Sequence, residues 1–306
     1  MSSPSGTKPR QSGKVDPGAR PSSERLGAHV STQGGPASAP PRAAAIGATA
    51  MQIFTKTPNM WREPVITREI ATAFKKSRDD HPVATAVSHD SYLINLASPD
   101  PALWTRSREA FGGELRRSEA LGLDGIVSHP GNFIAEHDAG LEQNARAITE
   151  ALRTVPGEVM VFLETTAGGG TVLGRSFEEL RAIRDLIGDD VRHRVGFCAD
   201  TCHLYSAGYD LVNDYDGVWA SWDRIIGLMH LRCIHMNDSK TPFASRKDRH
   251  ELIGEGSLGL DPFRRLMQDP RFATIPKILE TPKGDEDEVT NDRRMLALLR
   301  GFVAGV

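Results

Sequence analysis

Nine side chains in this sequence carry the nitrogen and oxygen donors that divalent metals take, and their spacing sorts them. Six of them end short apolar runs: TAVSH at His89, IVSH at His129, VFLE at Glu164, GFCAD at Asp200, CIH at His235 and KILE at Glu280. Two compact motifs complete the set. Asp200-Thr-Cys-His203 sets a carboxylate and an imidazole three residues apart, and Asp248-Arg-His250 sets them two apart. The total is five imidazoles and four carboxylates. One divalent ion takes three or four protein ligands and, in a catalytic site, keeps a position open for water. Nine donors therefore suit two or three ions with at least one bridging carboxylate. Nitrogen and oxygen donors without thiolate suit Zn²⁺, with Mn²⁺ or Fe²⁺ as alternatives. Ions clustered in this way deprotonate a water and stabilise both the attacking and the leaving oxygen of a phosphoryl group. That points to phosphoester hydrolysis. Lys240, Arg246, Lys247 and Arg249 lie beside Asp248, and they fit a phosphate-rich substrate. A single strand-end histidine is more often merely hydrogen-bonded; six donors at one topological position are not independent accidents. Asp214, Asp261 and His137 fall outside the pattern and read as capping or solvated residues.

Short, apolar runs of this kind are buried strands. Eight are legible, over 26–30, 50–55, 84–89, 124–129, 159–165, 194–200, 231–237 and 276–281. Helical periodicity fills the intervals. Phe111, Leu115, Ala120 and Leu121 share one face, and so do Leu141, Ala145, Ile148 and Leu152. Phe177, Leu180, Ile183, Leu186 and Ile187 form a third stripe, and Met295, Leu296, Leu298 and Leu299 a last one. Strand and helix alternating eight times predicts a (β/α)₈ TIM barrel. A doubly wound open sheet would offer one crevice at a switch point, whereas donors ending six successive strands call for a closed ring. The metal site is then expected at the C-terminal face of the strands, where barrel active sites lie. The connection over 238–260 is long for a compact domain, which marks it as functional. The acidic run 285–288 reads as the favourable N-terminus of the last helix.

Composition is that of a soluble globular protein, with 39% apolar and 25% charged residues. The net charge of −3 gives no global reason for polyanion binding, so such contacts must be local. No apolar stretch is long enough to span a membrane. Residues 1–25 hold six Ser, four Pro and three Gly with almost no apolar side chain. Such a segment is expected to be a disordered, weakly basic tail, because it cannot bury enough surface to offset its ordering entropy. Residues 26–306 form a single catalytic domain on this reading. Cys198, Cys202 and Cys233 are three thiols without a signal peptide, which suits a reducing cytoplasm and buried structural roles.

Several segments, GAHVSTQGG, HDSYLINLA, HPGNF, LETTAGGGTVLG, DTCHLYSAGYDL, HMNDSK, SRKDRHELIGEGSLG and ILETP, resemble the endonuclease IV family of apurinic/apyrimidinic (AP) endonucleases, members of the xylose isomerase-like barrels. The likeness runs from about residue 26 to the C-terminus, and its DTCH, NDSK and DRH motifs are specific. The resemblance implies three zinc ions. His89, His129 and Glu164 would hold one; Glu164, Asp200, His235 and Glu280 a second, with Glu164 bridging; and His203, Asp248 and His250 the third. It implies cleavage of duplex DNA 5′ to an abasic site, leaving a 3′-hydroxyl and a 5′-deoxyribose phosphate, together with trimming of blocked 3′ ends. Glu164 and Glu280 are the expected catalytic carboxylates, the latter orienting the attacking water. Tyr92 and Leu93 match the family's DNA-wedge residues, and Lys240, Arg246 and Arg249 are expected backbone contacts. Asn59 stands where the family pattern has a basic residue two before the tryptophan, so insertion from that loop is expected to be weaker. The resemblance also implies a monomer that needs no protein partner and acts in the cytoplasm on nucleoid DNA. Two rivals are a metal-dependent sugar isomerase or epimerase on the same barrel, and a non-catalytic lesion-binding protein. The first has no obvious use for a third ion, and the second would be expected to have lost ligands.

Overall fold

A computed structural model describes residues 24–284, 287 and 289–304. Eight parallel strands close into a barrel: β1 (Leu26–His29), β2 (Ala50–Ile53), β3 (Thr85–His89), β4 (Gly125–Ser128), β5 (Met160–Glu164), β6 (Val195–Asp200), β7 (Leu231–His235) and β10 (Lys277–Leu279). Two further strands, β8 (Asp238–Ser239) and β9 (His250–Glu251), pair antiparallel outside the barrel. Nine α-helices are found among the described residues: α1 (Ala39–Ala45), α2 (Arg68–Asp79), α3 (Pro101–Leu121), α4 (His137–Thr154), α5 (Phe177–Leu186), α6 (Thr201–Ala207), α7 (Tyr215–Ile225), α8 (Asp261–Gln268) and α9 (Thr290–Ala304). The eight strands read from the sequence are the eight barrel strands, most of them a residue or two shorter.

Local chemistry sets these boundaries. Asp100 accepts the N–H groups of Ala102 and Leu103 and Pro101 opens α3, while Gly122 at φ 72° closes it. A side-chain oxygen from an N-cap residue accepts from the first helical turn in this way because those amides have no partner within the helix. Ser176 does the same for α5 and Asp214 for α7, the latter a capping role the sequence suggested. Asp287, from the acidic run, accepts from Val289 and Thr290 at the start of α9. Residues 285, 286 and 288 of that run, and residues 1–23 of the tail, lie outside the described residues. Glu24 and Arg25 are tied to the barrel: Arg300 pairs with Glu24 at 3.0 Å, and Lys277 donates its N–H to the Arg25 carbonyl at 2.8 Å.

The helical stripes face inward as their spacing predicts, with one exception. Leu186 is half exposed. Ile187, just past the end of α5, takes the buried place instead. Inside the barrel, one layer of side chains comprises Ala50, Val87, Val127, Phe162, Cys198, Cys233 and Ile278. Strand side chains alternate faces, so the inward residue two positions further along each strand forms the next layer up. That layer consists of Gln52, His89, His129, Glu164, Asp200, His235 and Glu280, with His29 from β1. The apolar layer is thus the floor of a polar ring. Cys198 and Cys233 are buried, unbridged members of that floor, and Cys202 is likewise buried and free.

Candidate metal centre

The polar ring supplies six of the nine donors predicted from the sequence, and α6 and the long loop bring the other three beside it, making three groups of which two share a residue. His89, His129 and Glu164 form one; Glu164, Asp200, His235 and Glu280 another; His203, Asp248 and His250 the last. Within each group the candidate ligand atoms lie within 4.8 Å of one another. Glu164 is fully buried and divides its carboxylate. Its Oε2 lies 3.2 Å from His89 Nε2 and 3.0 Å from His129 Nε2, and its Oε1 lies 2.9 Å from His235 Nδ1. Glu280 Oε2 is 3.2 Å from the same His235 nitrogen. Asp248 reaches His203 Nε2 at 3.1 Å and His250 Nε2 at 3.2 Å.

Four of the imidazoles are oriented by the nitrogen that faces away from the cluster. His89 Nδ1–H donates to the Asp90 carbonyl at 2.9 Å, His203 Nδ1–H to the Thr165 carbonyl at 2.8 Å and His250 Nδ1–H to the Glu280 carbonyl at 3.2 Å. His235 Nε2 meets the side-chain oxygen of Gln52 at 2.9 Å. A ring nitrogen fixed as donor leaves the other as a lone pair, which is how outer partners prepare a histidine to ligate. Asp200 caps α6 by accepting the His203 N–H at 2.8 Å, and Asn237 donates to its other oxygen at 2.6 Å. This cap explains the D-x-x-H spacing: the carboxylate that helps form the ring also starts the helix that carries His203.

The residues fit cations. His203 Nε2 and His250 Nε2 are buried and make no well-aligned hydrogen bond among the described residues, although Asp248 lies 3.1 and 3.2 Å from them; donor atoms gathered around a shared space in this way suit an ion between them. The electrostatics agree. Burial alone would raise the Glu164 carboxyl, but the imidazoles of His235 and His129 hold it well below the usual carboxylate range. Burial would lower His89, and Glu164 instead lifts it to about 9. Burial likewise opposes the rise of His250 to about 9, which Asp200 and Asp248 drive. The ring therefore concentrates negative charge that attracts a proton wherever no metal stands.

The centre opens into a cleft of about 370 Å³ lined by His29, Phe54, Tyr92, Lys283 and six of the nine donors. Tyr92 is exposed on the loop after β3, with its ring 6.2 Å from that of His89. It stands well before the first turn of α3, so helix-start packing does not account for it. Neighbouring Leu93 is half-buried, and Asn59 is exposed on the loop after β2. Ser91 Oγ donates to the Pro58 carbonyl at 2.5 Å and joins those two loops. Lys240, Arg246 and Arg249 are exposed on the long loop, outside the residues that line the cleft. The cleft's own cation is Lys283, whose ammonium donates to the His29 carbonyl at 2.9 Å and to Asp292 at 2.7 Å. Sequence reasoning missed Lys283, Gln52 and Asp90. Asp90 directly follows His89 and accepts from Ser128 Oγ at 2.6 Å, and its burial lifts its carboxyl to about 7. A strand-end carboxylate beside a histidine was a signal that could have found it.

Comparison with known proteins gives a consistent picture. The model of the "Xylose isomerase-like TIM barrel" family matches residues 40–300. A "Probable endonuclease 4" of Trichlorobacter lovleyi is 46% identical over 284 residues, covering 92% of this chain and 100% of that protein. One from Chloroflexus aurantiacus is 44% identical over 285 residues, covering 92% and 99%. Among solved structures, endonuclease IV from Thermus thermophilus is 34% identical with a TM-score of 0.82, covering 92% of this chain and 100% of that one. A D-tagatose 3-epimerase-like protein, 18% identical with a TM-score of 0.67 and covering 92% and 99%, shares the fold alone.

Proposed function

Because the chain belongs to the endonuclease IV family of xylose isomerase-like TIM barrels, we propose that it is a zinc-dependent AP endonuclease of DNA base excision repair. Its substrate is duplex DNA carrying an abasic site, hydrolysed on the 5′ side to a 3′-hydroxyl and a 5′-deoxyribose phosphate. Blocked 3′ ends present the same phosphodiester to the same cleft and are a second substrate. The observation that carries the reading is the set of three donor groups at one mouth of the barrel, two of them sharing Glu164 and the third, His203 with Asp248 and His250, beside them. A sugar isomerase or epimerase needs no third group of this kind, and a lesion-binding protein without catalysis needs none of them.

In this reading His89 and His129 with Glu164 hold one ion, Glu164 with Asp200, His235 and Glu280 a second, and His203, Asp248 and His250 a third. Zinc in such clusters supplies an acidified water and positive charge opposite a phosphate. The chain's own residues do the rest. Glu280, at the lip of the cleft, orients the water and takes a proton. Tyr92 and Leu93 lie against the DNA and hold the duplex open at the lesion, where a missing base lowers the cost of flipping a nucleotide out. Asn59 offers a neutral contact on the adjoining loop. Lys283 inside the cleft, with Lys240, Arg246 and Arg249 outside it, engages phosphates. No helix among the described residues is long and apolar enough to cross a membrane, and three free buried thiols suit a reducing cytoplasm.

A labelled duplex with a single abasic site tests the proposal. Zinc-loaded wild type is expected to cut the abasic strand 5′ to the lesion, and chelation is expected to abolish cutting. Glu280→Gln should lower kcat by a factor on the order of 100 or more, in the range of general acid–base contributions. An uncut strand with the loaded wild type would sink the function. A variant as fast as wild type would sink the role of Glu280.

A further inference from the structure

Six strands of the barrel place a proposed ligand in the upper ring, and the two remaining strands place His29 and Gln52 there. Gln52 is fully buried. Its side-chain amide nitrogen lies 2.5 Å from Glu280 Oε1 and 3.1 Å from His29 Nδ1, and its oxygen lies 2.9 Å from His235 Nε2. The direction of every bond in this chain follows from one fact. An ionised carboxylate can only accept, so the NH₂ of Gln52 must face Glu280. The amide oxygen therefore faces His235, and His235 Nε2 must carry the proton. His235 Nδ1 is the nitrogen aimed at Glu164 and Glu280, at 2.9 and 3.2 Å, so with Nε2–H committed to Gln52 it is the Nδ1 position that a cation would take in place of a proton. The second N–H of the amide makes His29 Nδ1 an acceptor. Glu280 is held in the same stroke: one oxygen is tethered to Gln52 while the other points at the donor group.

We infer that Gln52 is a positioning residue of the metal centre, fixing the tautomer of His235 and the aim of Glu280 through one amide. The inference rests on the metal-centre reading above. Gln52 is fully buried; it acts through two candidate ligands, Glu280 at its nitrogen and His235 at its oxygen. The backbone carbonyls that orient His89, His203 and His250 leave no side chain to mutate, whereas Gln52 orients a candidate histidine ligand through a side chain that can be changed.

The test uses the full chain as wild type, Gln52→Met and Gln52→Glu, with three readouts: zinc affinity by competition with a chelating dye, ¹⁵N–¹H spectra of labelled imidazoles, and kcat and KM on the abasic duplex. Gln52→Met keeps the volume and removes all three polar contacts, to Glu280, His29 and His235. One of three zinc ions should then be held about 10- to 100-fold less tightly, the cost usual for a lost outer partner, and the His235 Nε2–H signal should move. Gln52→Glu still accepts from His235 but sets a carboxylate against Glu280. Its His235 signal should stay in place while kcat falls at least about tenfold and KM changes less than about twofold. Should circular dichroism show Gln52→Met unfolded, the Gln52→Glu pattern decides alone. Wild type holding three ions, with both variants holding them equally well at unchanged kcat, overturns the role of Gln52 and leaves the metal centre intact. A wild type that holds no zinc overturns both.

Discussion

Asp248 differs from the other carboxylates of its neighbourhood in exposure. Half of its side chain faces solvent, whereas those of Glu164 and Asp200 are closed off. It comes from a loop, and it spans His203 and His250 with one oxygen each. Such a residue can be changed without opening a hole in the core. Asp248→Asn is expected to leave the fold and two of three zinc ions in place while the third is lost to a chelator about 10 to 100 times more readily. Zinc content after graded chelator challenge measures this, and three equally retained ions would contradict it. At this scale the sequence was informative where charge marked the residue. The nine donors could be read because each is ionisable and each ends an apolar run or sits in a short motif. Gln52 stayed hidden inside MQIF because a neutral amide carries no such mark. Lys283 stayed hidden because its partners, the His29 carbonyl and Asp292, become neighbours only when the barrel closes.

The element that brings Asp248 and His250 to the ring is the short β8–β9 ladder, in which Asp238 pairs with Glu251 and Ser239 with His250. Two-residue strands have no periodicity to detect, so the long loop could be flagged as functional but its hairpin could not be drawn. Asp238 supports the element from beneath. Fully buried, it accepts the N–H groups of Ser239 at 2.7 Å, Gly254 at 3.0 Å, Gly256 at 3.2 Å and Leu258 at 2.8 Å. A Cβ on Gly256 would stand 2.5 Å from Asp238 Oδ1 and from the Ser239 carbonyl, so the close approach requires glycine. Asp238→Asn would turn an NH₂ toward backbone donors and should cost about 1–3 kcal/mol. Hydrogen exchange should show the loss locally, as faster exchange of the amides of Gly254, Gly256 and Leu258 with the barrel strands unchanged. Unaltered protection there would remove Asp238 from its supporting role.

The whole molecule is a barrel with two unlike ends. The C-terminal mouth collects the candidate ligands; the opposite end holds a separate cavity of about 380 Å³ lined by Arg25, Asp124 and Arg232, and near it lies Lys277, the first residue of β10. Its buried ammonium donates to the carbonyls of Phe272 at 2.5 Å and Ile275 at 3.3 Å, and burial draws its pKa down to about 8. The unfolded chain, with lysine near about 10.4, binds more protons between about pH 8 and 10. Stability must therefore rise with pH across that window. Wild type should gain about 2–3 kcal/mol relative to Lys277→Met between about pH 8 and 10.5, measured by denaturant unfolding at each pH. A difference that does not vary with pH would show that Lys277 titrates normally. The barrel was legible as a whole because alternation of strand and helix is a property of the entire sequence, while the burial of the Lys277 ammonium depends on the local path of 272–277. The divided carboxylate of Glu164 has a further consequence. One oxygen serves the His89–His129 side and the other the His235 side, and the carboxylate is rigidly walled by the barrel. An ion that settles on either side freezes the rotamer its neighbour needs and has already met the desolvation of the shared charge. Occupancies of the two positions that share Glu164 are therefore thermodynamically linked, and whatever factor an ion on one side applies to the other's affinity it receives in return.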